Sequence, residues 1–515
     1  MKTAYVLPLF CAHALTSALA DVHYVSKAGS HTSPYTSWPT AATNIASAIT
    51  ASAAGDTILV SNGVYTLSAQ LSITKGVTVR SLNGPSATII DANSKSRCVY
   101  LSHASAYLIG FTLRNGLAQT LVAPFGGGGV YIDNGGTVEM CVIRDNRTWA
   151  SSSAYGSSGG GICMDESGCA RNCLIMDNRA DRADSTTTKG GGVAMSSSGS
   201  TGPALESCTV AGNYSKNIRG GVSVWGGGSL KNCVIYGNTN GELGLDSSSS
   251  CVSNCCSSWA PTGTGRSGNI ATDPLYVNAG TGDYRLSASS PCIDTGASSG
   301  APATDLEGSL RPLDGNGNGV SIVDMGAYEY ALTAPVTFDA QGGTVNPAGA
   351  TVTNSLAYGT LPTPTRNGYT FGGWRTGSGG SGTQVTSATT VTITAAQTLY
   401  AKWTLTTTTQ GTPHLWLVQY GLIAGANYEA AAIADVDGDG HMAWQEYVAG
   451  SDPTNRASVL RAMIGVSNTV PRLTWTPDLG SARVYTVEGC TNLTEAAWGS
   501  TNATTRFFRV RVDMP

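Results

Sequence analysis

One short pattern occurs four times between residues 126 and 238 and restricts the chain to a stacked repeat. In each copy a glycine cluster leads into an alternating apolar strand, a cysteine follows, and an asparagine lies five residues after the cysteine. Copies about 30 residues apart with variable joins are typical of a solenoid, in which each unit buries its apolar face on the next. The strands begin at Val130, Ile162, Val193 and Val222; the cysteines are Cys141, Cys173, Cys208 and Cys233; the asparagines are Asn146, Asn178, Asn213 and Asn238.

The alternation of apolar residues within each copy predicts short β-strands. Val130 and Ile132 point to one side of their strand, and so do Cys141 and Ile143. A coil of two or three parallel strands per turn, with turns about 4.8 Å apart, buries all of these sides. The fold class is therefore mainly β, and we predict a right-handed parallel β-helix over residues 21–270.

Equivalent residues of such a coil stack in columns of cysteine, aliphatic side chains and asparagine. An asparagine amide can donate to one neighbour in its column and accept from the other, and it tolerates the left-handed backbone of a corner. Residues 41–53 form an amphipathic pattern with Ile45 and Ile49 on one face. We expect this helix to cover the first turn, because an open strand edge invites aggregation.

The register of glycine cluster, strand, cysteine and asparagine resembles the β-helix repeats of secreted bacterial proteins with the pectate-lyase-like fold. The resemblance covers roughly the first half of the mature chain. This fold hosts lyases, hydrolases, tailspikes and adhesins, so the resemblance implies the fold and does not select an activity.

The composition and the N-terminus favour an exported protein. Charged residues make up 12% of the chain and the net charge is −4, which gives no polyanion-binding footprint and excludes nucleic acid as a partner. Lys2, the apolar run of residues 4–15 and the small-x-small cleavage site Ala18-Leu19-Ala20 form a Sec-type signal peptide over residues 1–20. No later stretch is apolar enough to span a bilayer. We expect a bacterial secreted or cell-surface protein, and a monomer.

The cysteines of the mature chain fall into two groups. Loss of residues 1–20 removes Cys11 from the thirteen cysteines and leaves an even number, which invites a disulfide interpretation in an exported protein. Cysteines of the repeat column act as small hydrophobes, and directly stacked parallel strands give poor disulfide geometry. The predicted bridging candidates lie outside that column: Cys251, Cys255, Cys256 and Cys292.

Residues 271–332 form a segment with its own pattern, made of DPLYV, GDYRL, SPCIDTG, DLEGSLRP and VDMGAYEY. It resembles the segment that closes the β-helix in bacterial surface proteins of the choice-of-anchor Q type. The resemblance implies a secreted or surface protein without assigning an activity.

The rest of the chain divides into smaller modules. Residues 333–403 carry VTFDAQGGTV, YGTLPTPTRNGYTFGGW and LYAKW, and they resemble the Listeria–Bacteroides repeat of internalin-type surface proteins. That resemblance implies a compact β-rich spacer or interaction module. A Thr-rich linker (404–412), a helical segment (413–456) and a C-terminal β module (457–515) follow.

An acidic loop in the helical segment predicts one Ca²⁺ site. Its spacing, D-x-D-x-D-G-x₅-E, wraps hard oxygen ligands around one ion and resembles an EF-hand or dockerin loop. The alternative is a solvated acidic turn. A weaker copy begins at Asp314, but its twelfth position is Met325, with Asp324 as a possible substitute, and we interpret it as a glycine-rich turn. The predicted ligands are Asp435, Asp437, Asp439, the carbonyl of His441, and Glu446.

One pair of carboxylates raises the question of catalysis. Asp145 and Asp177 precede two of the column asparagines, and stacking would place them about 5 Å apart, close to the separation in retaining glycosidases. Arg147 and Arg179 follow and could neutralise them or bind a uronate substrate. The other two repeats have glycine at this position, which favours a structural turn.

We therefore assign no catalytic residue from the sequence. The favoured function is a non-catalytic adhesin or scaffold that binds glycans or a host or neighbouring cell surface. A polysaccharide lyase or glycoside hydrolase acting in a groove of the β-helix is one alternative. A structural stalk or envelope protein is the other.

Overall fold

The computed structural model describes residues 20–119, 126–150, 159–182, 190–198, 202–246, 248–423, 425, 427–467, 470–490, 499–500 and 507–513. The chain divides into two compact units. The first comprises residues 1–333 with 353–356 and 391–394, and the second comprises 334–352, 357–390 and 395–515. The predicted signal peptide lies outside the described residues, apart from Ala20.

The first unit is a coil whose strands form four parallel sheets. Sheet A contains Val22–Val25, Thr57–Val60, Thr78–Ser81, Tyr107–Ile109, Thr137–Glu139, Cys169–Arg171, Ala204–Glu206, Gly228–Lys231, Ser250–Ser253 and Arg266–Ser267. Sheet B contains Gly63–Thr66, Thr88–Asp91, Thr112–Arg114, Val142–Arg144, Leu174–Met176, Thr209–Ala211, Val234–Ile235 and Cys256–Ser257. Sheet C contains Leu71–Ile73, Val99–Leu101, Val130–Asp133, Ile162–Asp165, Val193–Ser197, Val222–Gly226 and Leu243–Leu245. Sheet D contains Leu117–Gln119, Arg147–Ala150, Arg179–Arg182 and Tyr214–Ser215.

The strand pairings confirm the predicted parallel β-helix. In sheet C, Val130 pairs with Ile162, Ile162 with Val193, and Val193 with Val222, all in parallel. Each central turn contributes one strand to each of sheets A, B and C, and some turns contribute a fourth strand to sheet D. The prediction of two or three strands per turn was therefore too low.

The cysteines stack inside the coil as the sequence predicts. The side chains of Cys141, Cys173, Cys208 and Cys233 are all fully buried. The backbone N–H of Cys173 donates to the sulfur of Cys208 at 3.4 Å, and Cys233 N–H donates to Cys255 Sγ at the same distance. The column therefore includes Cys255, whose side chain points into the coil; the prediction that Cys255 lies outside the column was wrong.

The asparagines form a continuous ladder of buried amides. Asn146 Nδ2 donates to Asn178 Oδ1 at 3.0 Å, Asn178 Nδ2 to Asn213 Oδ1 at 3.0 Å, and Asn213 Nδ2 to Asn238 Oδ1 at 2.9 Å. Glu242 ends the ladder by accepting from Asn238 Nδ2 at 2.7 Å. The left-handed residue of this corner is the one before each ladder asparagine, and not the asparagine as predicted: Asp145, Asp177, Gly212 and Gly237 have φ of 56°, 55°, 67° and 78°.

A short helix, Ile45–Ala51, belongs to the start of the coil. The Asn44 side chain caps it by accepting from Ser47 N–H at 2.8 Å. Ile45 and Ile49 are buried in the same apolar cluster as the interior of the coil, as the amphipathic pattern predicts.

The segment after the coil packs on the outer side of sheet B. It contains an antiparallel pair, Tyr276–Asn278 and Asp283–Leu286, joined by a 3₁₀ turn, Ala279–Thr281. Leu286 and Met325 share an apolar cluster with Val234 of sheet B. Two charged side chains of the segment, Arg311 and Glu329, form an ion pair at 3.2 Å and are fully buried. We call residues 271–332 the closing segment.

The second unit begins with a five-stranded sheet. In sheet order the strands are Gly349–Thr353, Thr333–Asp339, Gln397–Leu405, Tyr369–Gly377 and Ser381–Val385, with a 3₁₀ turn at Ser378–Gly380. Trp374 is buried in its core and donates from Nε1 to the Pro362 carbonyl at 2.8 Å. Trp403 donates to the Ala340 carbonyl in the same way, at 2.8 Å. The Trp374 ring is therefore buried, and both indoles satisfy their N–H groups.

Short helices and strands complete the second unit. The predicted helical segment (413–456) contains the helices His414–Gln419 and Tyr428–Ala432, and a third, Ala443–Ala449, follows the acidic loop. None of the helices in the described residues has the length and apolar character needed to cross a bilayer. The last strands are Arg461–Ser467, Val470–Thr476, Val484–Cys490, Gly499–Ser500 and Phe507–Asp513, with a 3₁₀ turn at Gly480–Ala482.

Candidate functional site

The acidic loop of the second unit gathers three of the predicted calcium ligands. Carboxylate oxygens of Asp435, Asp437 and Asp439 all lie within 4.8 Å of one another. The loop is folded by its own carboxylates, because Asp435 accepts from Gly438 N–H and from Gly440 N–H, both at 2.9 Å. Gly440 has a φ of 97°, a left-handed conformation that glycine adopts without strain.

Several carboxylate oxygens of this loop are buried without a hydrogen-bond partner. They are Asp437 Oδ2, Asp439 Oδ2 and Glu446 Oε2. Glu446 is 1% exposed, and burial, followed by the charges of Asp437 and Asp439, raises its pKa to about 7. Buried, mutually repelling carboxylates are unfavourable unless a cation neutralises them. The donor set, all oxygen, fits Ca²⁺.

His441 lies at the outer edge of the same loop. Its side chain is 56% exposed and contacts Asp439 through Nδ1 at 3.1 Å, and its backbone N–H donates to Asp439 Oδ1 at 2.8 Å. The His441 imidazole therefore orients Asp439, a predicted ligand, from outside the loop. The ligand predicted from His441 itself is its backbone carbonyl and not its side chain.

The weaker copy of the loop is a turn built by hydrogen bonds to Asp314. Its carboxylate accepts from the backbone N–H groups of Gly317, Asn318 and Gly319 at 2.8–3.0 Å. Met325 is fully buried. Asp324, the possible substitute ligand, accepts instead from Asp294 N–H and Tyr330 N–H.

The two candidate carboxylates of the coil lie at a corner, as the turn interpretation requires. Asp145 pairs with Arg144 at 3.1 Å, and both side chains are partly exposed. Partial burial, and then the charge of Asp145, raise the pKa of the Asp177 carboxyl. A methyl group added at Gly212, the next copy, would lie 2.6 Å from Asp177 Oδ1. Glycine therefore fits position 212 because there is little room for a side chain and because the backbone there is left-handed.

The two candidate arginines do not neutralise those carboxylates. Arg147 and Arg179 are neighbours in sheet D, and both form ion pairs with Asp181, which is 6% exposed. The Arg179 guanidinium also lies over the ring of Tyr214, 4.2 Å from its centroid. The proposed four-residue cluster is thus two separate groups, because the arginines begin a strand of their own beyond the corner.

A second pair of carboxylates in register occurs on the outer face of sheet C. Asp133 pairs with Asp165, Asp165 with Ser196, and Ser196 with Trp225. These residues alternate with the buried aliphatic column, so they lie on the outside of the coil. Trp225 is 65% exposed. We call Asp133, Asp165, Ser196 and Trp225 the outer stripe. The sequence predicted only Asp145 and Asp177 to be in register, and the outer stripe was missed.

Tyrosine hydroxyls hold the carboxylates of the outer stripe. Tyr100 donates to Asp133 at 2.8 Å, and Tyr131 donates to Asp165 at 2.5 Å. The two rings stack with their centroids 5.9 Å apart and their planes 8° from parallel. Ser196 Oγ donates to the other oxygen of Asp165 at 2.6 Å. The stripe is therefore a row of ordered polar groups ending in an exposed indole.

Comparison with known proteins identifies one module. Residues 335–402 match the family model of the Listeria-Bacteroides repeat domain, which confirms the resemblance predicted from the sequence of residues 333–403. No curated protein sequence matches the chain.

Similar solved structures include pectate lyase Pel9A, with 17% identity, 61% of this chain and 98% of that chain covered, and a TM-score of 0.30. Pectin methylesterase PemA from Erwinia chrysanthemi has 13% identity, covers 49% of this chain and 94% of that chain, and has the same TM-score of 0.30. At these scores the likeness adds nothing to the strand pairings, on which the fold assignment rests.

Proposed function

We propose that this chain is a secreted or cell-surface scaffold that binds glycans along the outer stripe without turning them over. The observation that carries the proposal is the register of Asp133, Asp165, Ser196 and Trp225 on the outside of sheet C. A choice-of-anchor Q type of surface protein, implied by the closing segment, is consistent with this role.

The chemistry of the stripe suits a sugar chain. Carboxylates and a hydroxyl offer acceptors to sugar hydroxyls, and an exposed indole offers a flat apolar face for a sugar ring. The groups repeat once per turn of the coil, about 4.8 Å apart, so an extended glycan can lie along the axis. Because Tyr100 and Tyr131 already fix the carboxylates, binding orders few side chains and loses little entropy.

The test is glycan binding by the full mature chain, first on a glycan array and then in solution with the best oligosaccharide. Trp225→Ala should weaken binding at least about tenfold, which is about 1.4 kcal/mol. The matched control is Trp259→Ala, since Trp259 is 49% exposed in the same unit but outside the stripe, and it should bind as the parent does. Equal losses in both variants, or no binding to any glycan, would overturn the proposal; the second result would favour a structural stalk.

We also propose that Asp435, Asp437, Asp439, Glu446 and the His441 carbonyl bind one Ca²⁺. Three partnerless buried carboxylate oxygens support the site. Calorimetric titration with Ca²⁺ should give one site per chain, and Glu446→Gln should weaken it by an order of magnitude or more. Glu429→Gln, an exposed acid of the same segment that contacts Thr409, is the control and should bind normally. Unchanged affinity of Glu446→Gln would remove the site.

A glycoside hydrolase or polysaccharide lyase is the second candidate, and the outer stripe also supports it. Carboxylates on neighbouring turns lie about 5 Å apart, near the separation of retaining glycosidases. The parent chain is incubated with uronate and neutral polysaccharides while new reducing ends and unsaturated products are measured. Turnover that Asp165→Asn abolishes would establish an enzyme; binding without turnover supports the scaffold.

A further inference from the structure

Two cysteines outside the thiol column meet where the last turn of the coil contacts the closing segment. Cys256 begins the strand Cys256–Ser257, directly after Cys255, and its side chain lies outside the coil, in a cluster with residues of the closing segment. Cys292 lies in a turn of the closing segment. Both are fully buried, in one apolar cluster with Val234, Leu286, Ile293 and Met325.

These two thiols lie at the contact between the coil and the closing segment, whereas neighbours in the column are stacked on successive turns. Both are free thiols in the structure and lie in one buried cluster, and Cys256 Sγ donates to the Thr272 carbonyl at 3.2 Å. Neighbours in the column are joined through a backbone N–H, as between Cys173 and Cys208. Column side chains are parallel, which disfavours a disulfide, whereas Cys256 and Cys292 approach from two different chain segments.

The environments of the thiols give them different reactivity. The hydrogen bond from Cys292 lowers the pKa of Cys256. Burial raises the pKa of the column thiols Cys208 and Cys233 well above the usual range. Since the thiolate is the nucleophile in disulfide exchange, Cys256 is the more reactive member of the pair, and Cys208 and Cys233 of the column are inert.

We infer that Cys256 and Cys292 form a disulfide bond that fastens the closing segment to the last turn of the coil. The oxidant is a disulfide, either small, such as glutathione disulfide, or on a thiol–disulfide oxidoreductase. The Cys256 thiolate attacks one sulfur and forms a mixed disulfide, and the first thiolate leaves. Cys292 then loses its proton and attacks the Cys256 sulfur, and the second thiolate leaves. Two protein thiols are oxidised and one disulfide is reduced to two thiols.

The bond would convert residues 257–291 into a covalent loop. Because both thiols are buried once the closing segment has packed, the exchange takes place during folding. The main effect of such a loop is on the unfolded chain, whose freedom it restricts. The end of the coil then resists opening, which is useful in an exported protein that no cellular machinery can refold.

The test uses the full mature chain refolded with oxidised and reduced glutathione. Free thiols are alkylated in denaturant, and the digest is examined by mass spectrometry. The expected product is a cross-linked pair of peptides containing Cys256 and Cys292, lighter by two hydrogen masses than the reduced pair. Tandem spectra distinguish Cys256 from Cys255, and Cys255→Ala should retain the cross-link.

Thermal unfolding provides a second readout. Reductant should lower the melting temperature of the parent and of Cys251→Ser, a control at an exposed cysteine, by several degrees. It should have no effect on Cys256→Ser or Cys292→Ser. Complete alkylation of Cys256 and Cys292 after oxidising refolding would overturn the inference, as would a cross-link from either residue to another cysteine.

Discussion

The asparagine ladder predicts that one amide in the middle of the coil supports its neighbours on both sides. Asn178 Oδ1 accepts from the backbone N–H of Asn146 at 3.1 Å and from its Nδ2 at 3.0 Å. Asn178 Nδ2 donates to the Ile143 carbonyl at 2.8 Å and to Asn213 Oδ1 at 3.0 Å. Asn178→Ala removes all four hydrogen bonds at a site with no access to water.

The size of the effect follows from which groups keep another partner. Asn146 Nδ2 still donates to the Leu113 carbonyl, and Asn213 Oδ1 still accepts from Asn178 N–H. The backbone N–H of Asn146 has no other acceptor among the residues that the structure describes and is left buried and unsatisfied, at about 1–3 kcal/mol. With about 1 kcal/mol for each of the other bonds, we expect the free energy of unfolding to fall by roughly 4–6 kcal/mol.

The assay is chemical denaturation of the mature chain, combined with hydrogen exchange at the amides of residues 142–150 and 174–182. The matched control is Asn83→Ala, because Asn83 donates to Asn62 on the neighbouring turn at 2.9 Å, but both amides are exposed. We expect a change below about 0.5 kcal/mol there. Equal changes for the buried and the exposed variant, or a loss below about 1 kcal/mol for Asn178→Ala, would refute the reasoning.

Three further predictions concern pH, packing and metal. Burial, and then the Glu329 carboxylate, raise the pKa of Asp324 to about 8. Because this folded-state pKa lies above the ordinary 3.8, the protonated Asp324 carboxyl makes its full contribution to the free energy of unfolding below pH 3.8. That contribution is lost as the pH rises through 8. We expect urea midpoints to fall from pH 6 to pH 9, and to fall less in Asp324→Asn. A methyl group at Gly160 would lie 2.5 Å from the Gly191 carbonyl oxygen, so Gly160→Ala should lower the free energy of unfolding by about 3 kcal/mol or more. Gly237 has open space around it and a φ of 78°. Gly237→Ala should therefore lower the free energy of unfolding by only about 1–2 kcal/mol. Removal of Ca²⁺ with a chelator should lower the melting temperature of the second unit.

Each of these predictions has an outcome that contradicts it. A flat or rising midpoint between pH 6 and pH 9 would show that the Asp324 carboxyl is not held protonated by its surroundings. Equal losses for the two glycine variants would mean that close approach of the strands is unimportant at residue 160. A chelator effect that persists in Glu446→Gln would show that the ion binds elsewhere.

The interior of the coil could be predicted from the sequence because one physical requirement repeats in every turn. Cys141 and Cys173 recur at the same distance from their strands and must share an environment, and both are fully buried. The asparagine column follows from the same repetition, as Asn146 and Asn178 show. Columns of this kind can be predicted without knowing which residues far apart in the sequence come into contact.

The outside of the coil was predicted less well, although part of the signal was present. Asp133 and Asp165 each lie three residues after the first strand residue, Val130 or Ile162, and the strands pair at that register. The other two copies have Ser196 and Trp225 at this position, so the position does not repeat one residue type as the inward-facing columns do.

Other contacts had no local signal. Asp181 binds both Arg147 and Arg179 only because the chain turns into a further sheet after each asparagine corner. A repeat pattern contains no information on which outward side chains will meet there. The meeting of Cys256 with Cys292 depends likewise on where the closing segment returns.

The carboxylate of Glu242 has a consequence for how long the asparagine ladder can grow. Every interior asparagine offers the next turn the same acceptor and donor, so the hydrogen bonds of the ladder do not fix the number of turns. Glu242 accepts from Asn238 Nδ2 and from the N–H groups of Gly237 and Asn238, and it offers no donor to a following amide. It acts as a terminator of the series, so that duplication of an interior turn would lengthen the molecule, and the row of groups on its surface, while both ends stay as they are.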